Sequence, residues 1–231
     1  MATAAFAGPA RASTAEHRFF AALAVAMLVV ALVGFAPSFY WRGADRPALS
    51  VLLLAHGLSF TAFLLLFVAQ TQLVLRGRTG LHRAFGVAGT PLLAAMAASG
   101  AAVGIEQALR GAGPPGIGQP AWLVWVLGDV VSFTGLVGAS LWRRRDPAAH
   151  KRLMVLGVAV MMGPAAGRAL DAAGSSGAAG AIGGPWLFAL ALALVAWDLA
   201  ARGRLHRATA LGVGFLALTF WGRVPIMQAL G

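Results

Sequence analysis

The chain of 231 residues contains no cysteine, and only 11% of its residues are charged. The absence of cysteine excludes disulfide bonds, thiolate metal sites and cysteine nucleophiles. The charged fraction is less than half of the roughly 25% found in soluble domains, whereas 59% of the residues are hydrophobic. So few charged side chains cannot cover a water-soluble surface, which excludes a soluble enzyme, a nucleic-acid-binding domain and a disordered protein. The composition therefore predicts a polytopic membrane protein.

Seven apolar stretches approach the length of about 20 residues that a membrane-spanning helix needs. They cover residues 19–40, 49–75, 84–105, 121–142, 153–170, 182–201 and 208–226. Residues 1–18 are predicted to be a short cytoplasmic tail, and residues 19–231 a single transmembrane domain. The predicted fold is an all-α bundle of seven transmembrane helices. The third stretch is rich in small residues and is expected to lie at the centre, and Pro91 and Pro164 are expected to kink their helices.

The basic residues indicate the orientation of the bundle. Of the 18 lysines and arginines, 13 fall on the side of the amino terminus, which leaves five for the other side: Arg42, Arg46, Arg110, Arg168 and Arg223. Cytoplasmic loops carry the excess of basic residues, so the amino terminus is predicted inside and the carboxyl terminus outside. Arginine outnumbers lysine 17 to 1 in a chain rich in alanine and glycine, which is typical of G+C-rich bacteria. These observations predict a bacterial inner-membrane protein whose basic turns contact anionic lipid head groups.

Three basic turns repeat along the chain and divide it into one helix followed by three helical hairpins. Each turn places a histidine at the start of the outgoing helix, namely His82, His150 and His206. The favoured interpretation is that these histidines contact lipid head groups or hydrogen-bond the start of a helix. The alternative is that two of them meet on adjacent helices, where they bind a metal or ligate a haem iron. Haem is the one cofactor that this pattern suggests.

Four ionisable residues are predicted to lie within the membrane, namely His56, Asp129, Arg168 and Arg223. At a rise of 1.5 Å per residue, all four fall at a similar depth in the outer third of the bilayer. Such residues normally face the bundle interior and pair with one another. One interpretation is structural, with Asp129 as the counter-ion of either arginine and His56 hydrogen-bonded nearby. The other is a pocket open to the outside, in which the arginines bind an anionic ligand while Asp129 and His56 exchange protons.

Several short segments resemble the signatures of an uncharacterised family of bacterial multi-pass membrane proteins. They are Gly-Phe-Ala-Pro-Ser-Phe-Tyr at 34–40, His-Gly at 56–57, Leu-Phe-Val-Ala-Gln-Thr at 66–71, Leu-His-Arg-x-x-Gly at 81–86 and His-Lys-Arg-Leu-Met at 150–154. The resemblance covers nearly the whole chain and implies the membrane location and the fold, but no activity. The segment at 150–154 also resembles small membrane proteins of unknown function that are found near haem–copper oxidase genes.

The function expected from the sequence is non-enzymatic, because no catalytic motif is present. We expect a membrane protein that binds a small ligand or cofactor in the outer polar pocket, in support of respiratory electron transfer. One alternative is a secondary transporter that couples to protons through Asp129 and His56. A second alternative is a b-type haem protein that uses the turn histidines. The sequence identifies neither a respiratory partner nor an oligomeric state.

Overall fold

The computed structural model describes residues 13–111, 117–174 and 179–230, with side chains described everywhere except at 179–185. All regular secondary structure in these ranges is helical, which confirms the predicted all-α class. Most of the predicted tail, residues 1–12, lies outside the described residues. Residues 14–18 form the start of the first helix rather than the end of a tail.

The helices follow one another with short connections. They are α1 (Thr14–Phe35, continued by a π-helical turn, Ala36–Tyr40), α2 (Val51–Leu75), α3 (Thr79–Ala88), α4 (Thr90–Leu109), α5 (Gln119–Trp142), α6 (Pro147–Val160), α7 (Gly163–Ala172), α8 (Ala179–Arg202), α9 (Arg207–Gly222) and α10 (Val224–Ala229). Five described segments are long and apolar enough to cross a membrane, namely 14–40, α2, α4, α5 and 207–229. A sixth is the pair α6–α7 if its two helices form one span, although they are bent by 51°. Several apolar helices of this length indicate a multi-pass membrane protein.

Each of the three hairpins has a broken outgoing helix, and a proline follows each break. Pro91, Pro164 and Pro225 are all the second residue of the helix that resumes after the break. Proline has no N–H and its ring clashes with the carbonyl four residues earlier, so a helix breaks just before it. The predicted stretch 84–105 is therefore interrupted at Gly89, and the predicted stretch 153–170 is interrupted at residues 161–162.

Two of the three basic turns depend on glycine. Gly77 and Gly203 each lie between two arginines, and both have a positive φ, 73° and 65° respectively. A left-handed residue of this kind commonly ends a helix, and glycine adopts it without a steric penalty. The remaining turn has no such glycine, and there the side chain of Asp146 accepts hydrogen bonds from the N–H groups of Ala148 and Ala149 and so caps α6.

The pair α6–α7 forms the centre of the bundle. Of residues 152–160 in α6, only Met154 is not buried, and the helix packs against α5, α9, α8 and α1. The prediction that the third stretch is central is wrong, because α4 buries only Met96, Gly104 and Ala108. Its small residues instead permit a close approach to neighbouring helices, since a Cβ on Gly104 would overlap the side chain of Val126 in α5. Small residues permit a close approach wherever a helix lies, so they do not mark the centre.

Large apolar side chains cover the outside of the bundle. On α1, Val25, Val29 and Val33 are exposed at a spacing of four residues, and on α9 Leu211 and Leu218 are exposed at a spacing of seven. These spacings place the side chains on one face of each helix, turned away from the core. A water-soluble monomer rarely exposes apolar patches of this extent, whereas lipid tails cover them in a membrane.

Candidate functional site

Asp129 and Arg223 form a partly buried ion pair between α5 and the junction of α9 with α10. Arg223 Nη1 lies 2.8 Å from Asp129 Oδ1 and also donates to the Trp125 carbonyl at 2.7 Å. Trp125 precedes Asp129 by one helical turn, so a single guanidinium group contacts both. Its central carbon lies 4.2 Å from the centre of the Trp125 ring and 5.0 Å from that of Phe220. The Arg223 side chain is 6% exposed and that of Asp129 is 21% exposed.

The other two residues of the predicted outer cluster have separate partners. His56 Nδ1 lies 3.2 Å from Ser99 Oγ, which connects α2 to α4. Arg168 donates to the carbonyl of Pro164 in its own helix, and its guanidinium carbon lies 4.9 Å from the centre of the Phe35 ring. Of the four residues that the sequence placed at one depth, the structure brings only Asp129 and Arg223 into direct contact.

A small cavity lies beside this ion pair. Its volume is about 210 Å³, and its lining includes residues from the start of α5 and from α10: Ile117, Gly118, Ala121, Trp125, Val224, Met227 and Gln228. Trp125 therefore contributes both to the cavity wall and to the binding of the Arg223 guanidinium. The wall is mostly apolar, and Gln228 provides its one polar side chain. Typical ligand pockets measure about 300–1,000 Å³, so this cavity suits a small molecule.

The three turn histidines differ in their surroundings. The rings of His82 and His150 lie with their centroids 6.3 Å apart, whereas His206 accepts a hydrogen bond from Ala208 N and caps α9. Burial, followed by the proximity of His150, lowers the pKa of His82, and a hydrogen bond to the Gln70 carbonyl acts in the opposite direction. Burial, followed by Arg152 and Arg202, lowers the pKa of His206. Both rings therefore favour the neutral form.

The most deeply buried ion pair of the described chain is not among the residues predicted from the sequence. Arg152 in α6 and Asp198 in α8 are both completely buried, and Arg152 Nη2 lies 2.5 Å from Asp198 Oδ1. Asp198 Oδ2 also accepts from Thr209 Oγ1 at 2.5 Å and from His206 N at 3.1 Å. The sequence predicts Arg152 only as one of the basic residues on the cytoplasmic side. Asp198 is an acid inside the apolar stretch 182–201, and the same criterion that identified Asp129 would have identified it.

Glu16 extends this network to α1. Its Oε1 lies 2.8 Å from Lys151 Nζ and 3.1 Å from Arg152 Nη2. Glu16 itself is buried, although it lies in the first turn of α1. The network thus connects α1, α6, α8 and α9 at the end of the bundle that carries the basic turns, and each of its charges has a partner of opposite sign. Such complete pairing is typical of a structural network.

The chain matches no protein-family model, no characterised protein and no solved structure. The family resemblance of the segments at 34–40, 81–86 and 150–154 therefore stays a prediction. In the structure, these segments supply close contacts and buried polar groups: Gly34 packs on α7, His82 contacts His150, and Lys151 and Arg152 bind Glu16. These contacts of the chain's own residues are the basis for a functional assignment.

Proposed function

We propose that this chain is a seven-helix protein of a bacterial inner membrane, with its amino terminus inside and its carboxyl terminus outside. The five apolar segments and the bent pair α6–α7 supply six spans. Helix α8 is the seventh, because its 24 residues are about 36 Å long at 1.5 Å per residue, more than the thickness of a bilayer core. The three basic turns then lie on the cytoplasmic side. Their exposed arginines, such as Arg76, Arg144 and Arg204, would contact anionic head groups.

The function that the geometry supports best is the binding of a small ligand in the outer half of the membrane, in the cavity beside Asp129 and Arg223. The observation that supports it is that Trp125, whose ring and carbonyl contact the Arg223 guanidinium, also lines this cavity. Charged residues within the bilayer are costly, and they are usually associated with a ligand or ion site. Arg223 also retains a donor, because its Nε is buried without a hydrogen-bond partner.

The cavity restricts the chemistry of the ligand. Trp125, Val224 and Met227 favour an apolar body, while the Gln228 amide favours a hydrogen-bonding group such as a carboxylate. A small organic acid has both features. The role in respiratory electron transfer rests on the resemblance of residues 150–154 to proteins found near haem–copper oxidase genes.

A proton-coupled transporter has less support from the geometry. Proton exchange between His56 and Asp129 requires the two side chains to share a path, but His56 contacts Ser99 and Asp129 contacts Arg223. Binding without transport is therefore the function we favour.

The absence of cysteine allows a direct test of this proposal. Single cysteines are introduced at Gln228 in the cavity, Gly43 in the connection before α2, Arg204 in a basic turn and Leu218 on the exposed face of α9. Intact spheroplasts are then treated with a membrane-impermeant maleimide. We expect labelling of Gly43→Cys and Gln228→Cys, and no labelling of Arg204→Cys or Leu218→Cys.

Each variant tests a separate part of the proposal. Labelling of Arg204→Cys without Gly43→Cys would show that the orientation is inverted. Labelling of Gly43→Cys without Gln228→Cys would show that the cavity is closed to water, and the outer ligand site would then be wrong. Leu218→Cys is the matched control, because its side chain is exposed but is expected to face lipid.

A further inference from the structure

Two of the three turn histidines meet, although they belong to different hairpins. His82 lies on α3 and His150 on α6, and their rings are 6.3 Å apart between centroids with an angle of 76° between the ring planes. Both rings are partly buried. The pair is at the end of the bundle that carries the basic turns, opposite to the cavity beside Arg223. It is therefore independent of the proposed ligand site.

Hydrogen bonds fix the orientation and the tautomer of His150. Ser140, which is completely buried, donates its hydroxyl to the His150 carbonyl at 2.8 Å. In return, His150 Nδ1 lies 2.9 Å from the Ser140 carbonyl oxygen and also 2.9 Å from the Ser140 hydroxyl oxygen. A carbonyl only accepts, so Nδ1 carries the proton and Nε2 presents a lone pair. Histidine ligands of metals are typically held in this way, by donating the other ring N–H to a backbone carbonyl.

His82 presents a complementary feature. Its Nδ1 is buried without any hydrogen-bond partner, and its ring lies close to the Gln70 carbonyl. The side-chain oxygen of Gln70 is also buried without a partner. The Gln70 side chain lies against α3. Its Nε2 is 3.4 Å from the place that a Cβ on Gly86 would occupy, and Gly86 follows His82 by one helical turn. Buried polar atoms in native proteins normally have a partner. His82 Nδ1 and the side-chain oxygen of Gln70 can therefore each accept a hydrogen bond or bind a metal.

The separation of the rings matches two imidazoles on opposite sides of one metal. A metal–nitrogen bond is about 2.0–2.1 Å long, and the ligating nitrogen lies roughly 1.1 Å from the centre of its ring. Ligands in a straight line therefore place the ring centroids about 6.4 Å apart, close to the observed 6.3 Å. Tetrahedral ligands would place them about 5.2 Å apart. The centroid separation thus agrees better with ligands on opposite sides of a metal than with tetrahedral ligands.

The number of protein ligands is consistent with this geometry. No group of three or more histidine, aspartate or glutamate side chains that could hold a metal occurs in the described part of the chain. Two trans histidines suffice for a haem iron, whose other four ligands come from the porphyrin. A bare ion would complete its coordination with water or with the Gln70 amide oxygen. In either case the protein contributes the same two nitrogens.

We propose that His82 and His150 are the two imidazole ligands of a transition-metal centre, either a haem iron or a bare ion, at the basic end of the bundle. Ser140 is a positioning residue, because it holds the His150 ring with Nε2 free. His206 takes no part, because its Nδ1 caps α9.

The test uses the full chain, purified in mild detergent from cells that make haem, and compares wild type with His82→Gln, His150→Gln and the control His206→Gln. If the centre is haem, wild type and His206→Gln show a Soret band and reducible α and β bands, and both other variants lose them. If the centre is a bare ion, wild type shows no Soret band but binds Cu²⁺ stoichiometrically. His82→Gln and His150→Gln then weaken Cu²⁺ binding at least tenfold, and His206→Gln leaves it unchanged.

A second measurement keeps the test decisive if a histidine variant fails to fold. Wild-type protein loaded with Cu²⁺ is examined by electron paramagnetic resonance, in which two imidazole nitrogens give a characteristic superhyperfine pattern. The proposal is overturned if wild type shows neither a haem spectrum nor nitrogen-coordinated Cu²⁺. It is also overturned if folded His82→Gln and His150→Gln bind the metal as wild type does.

Discussion

The guanidinium of Arg152 donates to both carboxylate oxygens of Asp198, although the two residues are 46 positions apart and neither is exposed to solvent. This contact joins the central helix α6 to α8. Thr209 extends it to α9 and Glu16 extends it to α1, so that four helices meet at one group of charges. The stability of the bundle at its basic end therefore depends on the balance of charge within this group.

We predict that Asp198→Asn strongly destabilises the protein, because it leaves Arg152 without its main buried counter-charge. Removing one partner of a buried ion pair typically costs about 3–5 kcal/mol. The melting temperature in detergent measures the effect. Asp171→Asn removes the same charge from an exposed position and is expected to melt as wild type does. Replacing both partners, with Arg152→Met and Asp198→Leu, is expected to recover part of the loss. A wild-type melting temperature for Asp198→Asn would show that the pair is not structural.

A second prediction separates the two arginines that the sequence offered to Asp129. Asp129→Asn lowers the melting temperature. Its cost in free energy of unfolding is smaller than the roughly 3–5 kcal/mol of a fully buried pair, because Asp129 is 21% exposed. Adding Arg223→Gln restores part of the stability, since it removes the charge that was left unpaired. Adding Arg168→Gln restores none, because Arg168 contacts Pro164 and Phe35 instead. Rescue by Arg168→Gln and not by Arg223→Gln would contradict the observed pairing.

A third prediction concerns the close contact of α1 with α7. A Cβ on Gly34 would overlap the main-chain carbonyl oxygen of Ala165, and a backbone atom cannot move aside as a flexible side chain can. Gly34→Ala is therefore expected to cost about 1–3 kcal/mol, as overpacking does in other well-packed cores. Gly138→Ala is the matched control, because no heavy atom lies within 4 Å of its Cβ position. Equal melting temperatures for the two variants would show that α1 and α7 are not tightly packed.

The sequence predicted the positions of the helices well, since apolar length and prolines act locally. The breaks before Pro91 and Pro164 fall where the missing N–H group requires them. The arrangement of the helices was harder to predict. Small residues in α4 suggested a central helix, but α6 is central although its sequence between Arg152 and Val160 is not unusually rich in small residues.

The polar contacts could also be predicted only in part from the sequence. Depth in the membrane can be counted along a helix, so the sequence placed Asp129, Arg168 and Arg223 at one level. It could not choose between the arginines, because that choice depends on the direction in which α7 and α10 leave their breaks. The position of Asp198 inside an apolar stretch marks it as an intramembrane acid, but its partners Arg152 and Thr209 lie on other helices, and no local pattern identifies them.

The last prediction concerns pH. His206 caps α9, because its Nδ1 accepts a hydrogen bond from Ala208 N, and only the unprotonated nitrogen can accept. Burial, followed by Arg152 and Arg202, lowers the pKa of His206 below its usual 6.5. As the pH falls through about 6.5, the unfolded chain therefore takes up this proton before the folded protein does. The free energy of unfolding must then decrease, by at most about 1.4 kcal/mol per pH unit for one proton.

The variant His206→Asn isolates this contribution. Asparagine is a good N-cap and does not titrate, so the variant keeps the hydrogen bond to Ala208 N but loses the proton uptake. Melting temperatures are measured for both proteins between about pH 8 and about pH 5.5, a range that covers the titration of histidine. Other histidines with lowered pKa values, such as His82, change both proteins alike and cancel in the comparison. We expect the stability of wild type to fall more steeply with decreasing pH than that of His206→Asn. Parallel profiles would show that His206 does not cap α9 in its neutral form.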